Sequence, residues 1–207
     1  MIKNARRTKQ IVEFIDKDHK VANEYYELID NDLSPGQLKR NLKRLIDEDP
    51  FFFDPYLILA EIFYNEGRHN QAKDLLQRAF QKAVMKIVNK EGKWPKIMEW
   101  SWLENRHIIR TLDRWAKELW DDGKTEEALT ILRNLLKSNP ADNIGARYSI
   151  LAIRMNLDSS YELQFSAVLP GYIDAYEISN WFEKNSKKFP EEFDWWWKEI
   201  DKDSVVS

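Results

Sequence analysis

The chain has no cysteine, which excludes disulfides, thiolate nucleophiles and every zinc site that depends on sulfur. Histidine is nearly as scarce. His19, His69 and His107 lie far apart, with no partner at metal-ligand spacing, and each is expected as a surface or boundary residue without a metal. Neither sign of charge dominates: the net charge is −3, so no basic face is expected to neutralise phosphates and no nucleic-acid partner is expected. No stretch approaches the run of about 18 apolar residues that a membrane span requires, so membrane insertion is not expected. The opening "MIKNARRTKQ" lacks the apolar core of a secretory signal, and a cytoplasmic location is expected.

Glycine and proline number only six and seven in 207 residues, and they stand between long intervals of helical periodicity. No interval reads as a strand. At "SPGQ", Ser34, Pro35 and Gln37 form the signature of a capping box, opening a helix to about Asp47 with Leu38, Leu42, Leu45 and Ile46 as its apolar stripe. The interval from Asp54 to Val84 reads as two helices joined at Gly67. Tyr56, Leu59, Ala60 and Phe63 share a face of the first, and Ala72, Leu76, Ala79 and Phe80 share a face of the second. Ala60 and Ala72 are small where an antiparallel crossing brings backbones together.

The pattern recurs around Gly123: Leu112, Trp115, Ala116 and Leu119 precede it, while Ala128, Leu132, Leu135 and Leu136 follow. Such self-similarity defines a repeat. With its small residue in each helix, turn glycine and closing Pro140, the arrangement resembles the tetratricopeptide repeat family over roughly residues 34–155. The match is good in the two central hairpins; Leu38 stands where the family prefers alanine. "DNIGARYSILAIRM" resembles the first helix of a further repeat, with Asp142 as its cap, but no turn glycine follows it.

The two glycines are 56 residues apart, against a family period of about 34. The excess is assigned to an insertion at 85–105, where the earlier helix is prolonged, "EGKWP" turns, and a helix resumes near Ile97 and runs to Asp121. Trp94, Trp100 and Trp102 in this insertion are expected to pack together or form a satellite core. The expected whole is a single all-α domain over 1–207, a short tetratricopeptide-like helical-hairpin array. Residues 1–33, with Ile11, Phe14, Ile15, Val21, Tyr25 and Leu28, cap one end, and helices in 156–207 cap the other. Ser159 and Glu162 suggest a second capping box. The basic opening decapeptide and the acidic segment 190–203 either stay solvated or attract one another.

Candidate chemistry is thin. "GKT" at 123–125 resembles the end of a phosphate loop but lacks the upstream glycine, Glu118 standing there, and Thr125 is better read as a helix N-cap. Serine-nucleophile motifs are absent, adjacent carboxylates such as Glu126 and Glu127 do not face one another on a helix, and no catalytic residue or cofactor is assigned.

The resemblance implies instead that the first helix of each hairpin lines a concave channel. That face reads Leu57, Glu61 and Tyr64; Arg110, Asp113, Lys117 and Trp120; and Ile144, Arg147, Leu151 and Arg154. Aromatic and charged groups so spaced suit a protein or peptide ligand, although they also suit an ordinary solvated helix face. The clamp that chaperone-tail binders of this family build from lysine and asparagine is not expected, because Leu57 and Glu61 hold those places.

The implied function is that of a non-catalytic adaptor or assembly factor. A homo-oligomer joined through tryptophan-rich surfaces is the alternative, and an enzyme with an unrecognised site is a third reading. In "EEFDWWWKEI", Phe193, Trp196, Trp197 and Ile200 share a stripe at about 100° per residue and are expected to pack around Trp181 and Phe182. Trp195 falls on the polar side, expected either as an anchor for a second molecule or as a ring covered by Lys198 and Lys202 through cation–π contact.

Overall fold

The computed structural model describes residues 12–169 and 171–204. All regular structure among them is helical: α1 (Ala22–Asp30), α2 (Pro35–Glu48), α3 (Asp54–Asn65), α4 (His69–Ile87), α5 (Arg106–Asp121), α6 (Thr125–Ser138), α7 (Ala146–Arg154), α8 (Ala175–Ser186) and α9 (Pro190–Ser204). Short 3-10 turns occupy Leu103–Asn105 and Tyr161–Phe165. The chain divides into two compact units, 1–115 and 116–207, with the dividing point inside α5. The expected charge of the opening decapeptide, Ile11 and the Lys202 side chain lie outside the described residues.

In the first unit α2 begins as expected, the Gln37 side chain accepting the Ser34 backbone N–H at 3.2 Å. Leu42 and Leu45 are fully buried, as are Ala72 and Ala79, with Ala60 close behind, so α3 and α4 approach closely. Phe80 stacks on Trp115 at 5.7 Å. In the second unit the α6 stripe, Ala128, Leu132, Leu135 and Leu136, is buried in the same way.

The repeat is sharpest at the helix ends. The Gly67 N–H bonds to the Tyr64 carbonyl and Arg68 N–H to that of Phe63; Gly123 and Lys124 do the same to Trp120 and Leu119. Both glycines have a positive φ, 73° and 76°, so each turn is a Schellman motif built on the conformation glycine adopts most readily. A third helix ends alike: Asn156, at φ 56°, bonds to Ile153, and Leu157 bonds to Ala152. Asparagine tolerates the left-handed region, so the repeat continues through a residue that is not glycine. We expect Asn156→Gly to leave stability unchanged or slightly raised, and Asn156→Val to lower it by about 1–2 kcal/mol in urea unfolding. Equal stability of the valine variant would show that the turn does not constrain α7.

Several local expectations need correction. No helix resumes at Ile97; residues 88–102 form an irregular connector, and α5 starts at Arg106. The Asn89 side chain accepts the N–H groups of Glu91 and Lys93, closing a tight turn with Gly92 at φ 73°. Past buried Pro95, the backbone at Ile97 pairs with residues 12 and 14. Trp100 and Trp102 do not build a satellite core: Trp100 lies under the Arg106 and Arg110 guanidinium groups, and Trp102, 42% exposed, donates to Glu13. Thr125 is the first residue of α6, with Lys124 in the cap position. The Ser159 and Glu162 capping box does not form, since Ser160 precedes the 3-10 turn and the Ser159 hydroxyl donates to Asp121. Asp142 does cap α7, accepting the N–H groups of Ala146 and Arg147 at 2.7 and 3.0 Å, although Gly145 holds the cap position itself.

Candidate functional site

The expected binding face has different fates in the two units. In the first, Leu57 and Tyr64 are half-buried and Glu61 is exposed on α3. Tyr64 has the Arg114 guanidinium 5.4 Å from its ring and His69 at 5.6 Å. Arg110 forks onto buried Asp54, its Nε donating at 3.0 Å. Burial works against this guanidinium's charge, but Asp54 outweighs it and raises the pKa. Arg110 is therefore a tie between α3 and α5 rather than a free groove cation, and Asp113 is half-buried on the same helix.

In the second unit the chain uses these residues on itself. Trp120, expected on the exposed face, is only 6% exposed and lies 5.7 Å from the Tyr161 ring. Lys117 is 3.8 Å from Glu162. Leu151 is fully buried. Arg147 bonds to buried Asp142 at 2.9 Å and lies over the rings of Tyr148 and Trp196, at 4.1 and 5.1 Å. Arg154 reaches Glu191 at 2.7 Å and Glu192 at 3.5 Å. Helical spacing selects one side of a helix; it does not reveal that the 3-10 turn and α9 of the same chain cover that side. The half-buried Ile144 also falls in this unit.

The terminal tryptophans follow the wheel only in part: Trp196 is buried as expected, but Trp197 is no more than half-buried, as Trp195 is, and Trp195 is not exposed. Trp196 is buried and Trp197 half-buried, both against Phe182. Trp181 instead faces Tyr161 and Phe165. Trp195 is half-buried and lines a cavity of about 340 Å³ with Arg133, Arg154 and Glu192. Among the tryptophans, Trp102 is exposed, Trp94, Trp100, Trp181, Trp195 and Trp197 are half-buried, and Trp115, Trp120 and Trp196 are buried.

A site absent from the sequence reading lies in the first unit. Asp16, His19 and His107 converge and are all buried, which corrects the surface expectation for His19 and His107, while His69 is exposed as expected. The Asp16 Oδ2 atom accepts from Lys86 Nζ at 2.6 Å and lies 3.0 Å from His107 Nε2 and 3.1 Å from His19 Nε2. On the far side, His19 Nδ1 is 2.7 Å from Asp49. Asn105, fully buried, fixes the segment that delivers Asp16: its side chain accepts the Asp16 N–H and donates to the Phe14 and Glu99 carbonyls.

The two imidazoles are in different states. The Phe53 N–H donates to His107 Nδ1 at 3.1 Å, so the ring proton sits on Nε2 and faces Asp16. Burial holds His107 below its ordinary pKa although Asp16 pulls it upward. Burial also pushes His19 down, but the Asp16 and Asp49 carboxylates outweigh it and hold this imidazole above its ordinary value. For Asp16, burial is opposed and overcome by His107, His19 and Lys86, and its carboxyl lies well below the usual range.

Donor atoms of Asp16, His19 and His107 lie within 4.8 Å of one another, a spacing that invites a metal ion. The chemistry does not fit one. Lys86 already brings a cation to Asp16 and to within 3.2 Å of His19 Nε2, and His107 Nε2 is committed as a donor by the bond at its other nitrogen. The cluster is a hydrogen-bonded core with its own internal cation.

Residues 17–171 match the model of the family described as transcriptional repressor TCF25 (Tcf25). No curated protein and no solved structure gives a match. The matched stretch is well over half of the chain, and the chain belongs to the Tcf25 family.

Proposed function

We propose that this member of the Tcf25 family is a non-catalytic protein-binding module, built as a short tetratricopeptide-like array and serving transcriptional repression by holding another protein. The observation that carries this reading is the α3 face of the first unit. There Leu57, Glu61 and Tyr64 stay at least partly accessible while the opposite face of the same helix forms the hairpin core. The recurring Schellman turns support the array, with Asn156 standing 33 residues after Gly123, close to the family period of about 34. The family description directs attention to the nucleus rather than the cytoplasm that composition suggested. Near-neutral charge favours a protein ligand over nucleic acid. No helix among the described residues is long and apolar enough to cross a membrane.

The test is a double substitution, Tyr64→Ala with Glu61→Arg, in the full chain. Partner capture, quantified by crosslinking and mass spectrometry, is expected to fall at least about tenfold, the scale of a single lost anchor. Far-ultraviolet dichroism and the melting temperature should hold. Undiminished capture by a folded variant would move the binding face elsewhere.

A second reading, self-association, is favoured by a different observation. Leu163, Val168, Leu169, Tyr172 and Tyr176 are all more than 60% exposed within one short stretch of the second unit. Light scattering over a range of concentrations distinguishes the two readings.

A further inference from the structure

We propose that the Asp16, His19, His107 and Lys86 cluster is a proton-operated latch: a proton added to His107 releases residues 12–21 from the first unit and uncovers the aromatic surface around Phe52. Outside the cluster the segment is fastened by a few contacts: Phe14 N–H to the Ile97 carbonyl, Ile97 N–H to that of Val12, the Asn105 side chain, the Trp102 indole on Glu13, and buried Val21 where α1 begins. Asp16 is its buried charged anchor, and His19 covers Phe52 with ring centroids 5.4 Å apart.

The two histidines respond differently to a proton. A protonated His19 donates to both Asp16 and Asp49; a neutral one keeps its Nδ1 proton on Asp49 and accepts from Lys86 at Nε2. The charged form serves both carboxylates; in the neutral form Lys86 still supplies Nε2 with a donor, while Asp16 keeps Lys86 and His107. His107 has one acceptable form, because a proton on Nδ1 would point at the Phe53 N–H and leave two donors facing each other in a buried space. Its charged surroundings are Asp16 and His19 from the segment, Lys86 from α4, and Asp54 from α3, which Arg110 of α5 neutralises. Asp49 from the α2–α3 connection faces His19.

The direction follows from proton linkage. His107 binds its proton less readily when latched, so its contribution is complete above the ordinary imidazole pKa, about 6.5, and is lost as pH falls below it. His19 has the opposite shift. Its contribution is already complete below about 6.5, so it cannot offset the loss. Asp16 stays ionised throughout this window because its pKa is depressed. Acid between pH 6.5 and 5 therefore acts on the latch through His107.

Hydrogen exchange of the full chain, followed on peptides covering 12–21 and corrected for the intrinsic pH dependence of exchange, reads release directly. From pH 6.5 to pH 5, the window in which only His107 works against the latch, these peptides are expected to lose protection at least about threefold, in the direction set by the weaker proton affinity of latched His107, while α3 and α4 peptides hold theirs. His107→Gln presents an amide oxygen to Phe53 and an amide N–H to Asp16 without titrating, and should keep its protection at pH 5. His19→Gln should retain the acid response. Imidazole carbon shifts of wild-type His107, followed by NMR, should titrate with the same midpoint as release, and this measurement decides the matter if the glutamine variant does not fold. Equal wild-type protection at both pH values, acid loss as large in a folded His107→Gln, simultaneous loss in α3 and α4, or a mismatch of the two midpoints would each overturn the proposal.

Discussion

Replacing Asp16 with alanine is expected to destabilise the chain by about 3–5 kcal/mol, the range for breaking a buried charge cluster by deleting one partner. The carboxylate is the shared acceptor of Lys86 and His107 and the partner of His19. Its loss leaves one ammonium and two imidazoles facing one another, with only Asp49 on the outer side. Lys86 is the more exposed of the partners, at 16% of its side chain, and can turn part of its charge toward water. Lys86→Met should therefore cost distinctly less than Asp16→Ala, since Asp16 keeps both imidazoles. Asp16→Asn retains one carbonyl acceptor and should fall between. Urea unfolding of the three variants ranks them. A cost below about 1 kcal/mol for Asp16→Ala would mean that the cluster is solvated and does not fasten residues 12–21.

This cluster was hidden in the sequence for a physical reason. Asp16 and His19 are three residues apart, but His107 lies 88 residues beyond His19, and no local rule ties them. The information that brings them together resides in Asn105, which has no short-range signature: its three hydrogen bonds join the opening segment and the connector at the point where α5 begins. The connector itself was misjudged because "KIMEWSWLEN" has the apolar content of a helix. Backbone pairing of Ile97 with residues 12 and 14 claims those groups for an extended path instead. Periodicity fails where tertiary partners compete for the backbone.

The hairpins were legible because their determinants are local. A small residue at the crossing, a glycine in the turn and a capping box each act within a few residues, and the structure places them where expected. The Asn156 turn carries no glycine to mark it, although asparagine adopts the same backbone conformation. The expected binding face was half legible. One helix wheel finds the side that its own hairpin leaves open, and in the first unit that side stays partly open. In the second unit the same rule selects Trp120 and Arg154, but Tyr161, Glu191 and Glu192 come from downstream segments and occupy them, and Leu151 is fully buried.

The three consecutive tryptophans should separate sharply in their contribution to stability. Trp196→Ala is expected to cost about 3–5 kcal/mol, the range for truncating a large buried aromatic. Its ring is 6% exposed, sits edge-on to Phe182 and Trp197 with centroids at 5.5 and 4.9 Å, and donates its Nε1 hydrogen to the Pro140 carbonyl at 2.8 Å. That bond joins α9 to the end of the loop in which Asp142 caps α7, so truncation also leaves a carbonyl without its donor. Phe182→Ala should be of similar size, because Tyr148, Phe193, Trp196 and Trp197 all pack on that one ring. Trp197→Ala should cost less, its ring being half-buried against the same phenylalanine. Trp195 lies on the other side of α9, over a cavity whose Arg133 and Glu192 already pair with each other, and its removal should cost about 1 kcal/mol or less. Urea unfolding of the four variants, followed by far-ultraviolet dichroism so that lost tryptophan emission does not distort the signal, reads the ranking. If Trp195→Ala costs as much as Trp196→Ala, the Trp195 ring is a core residue of α9 and has no part in binding another molecule.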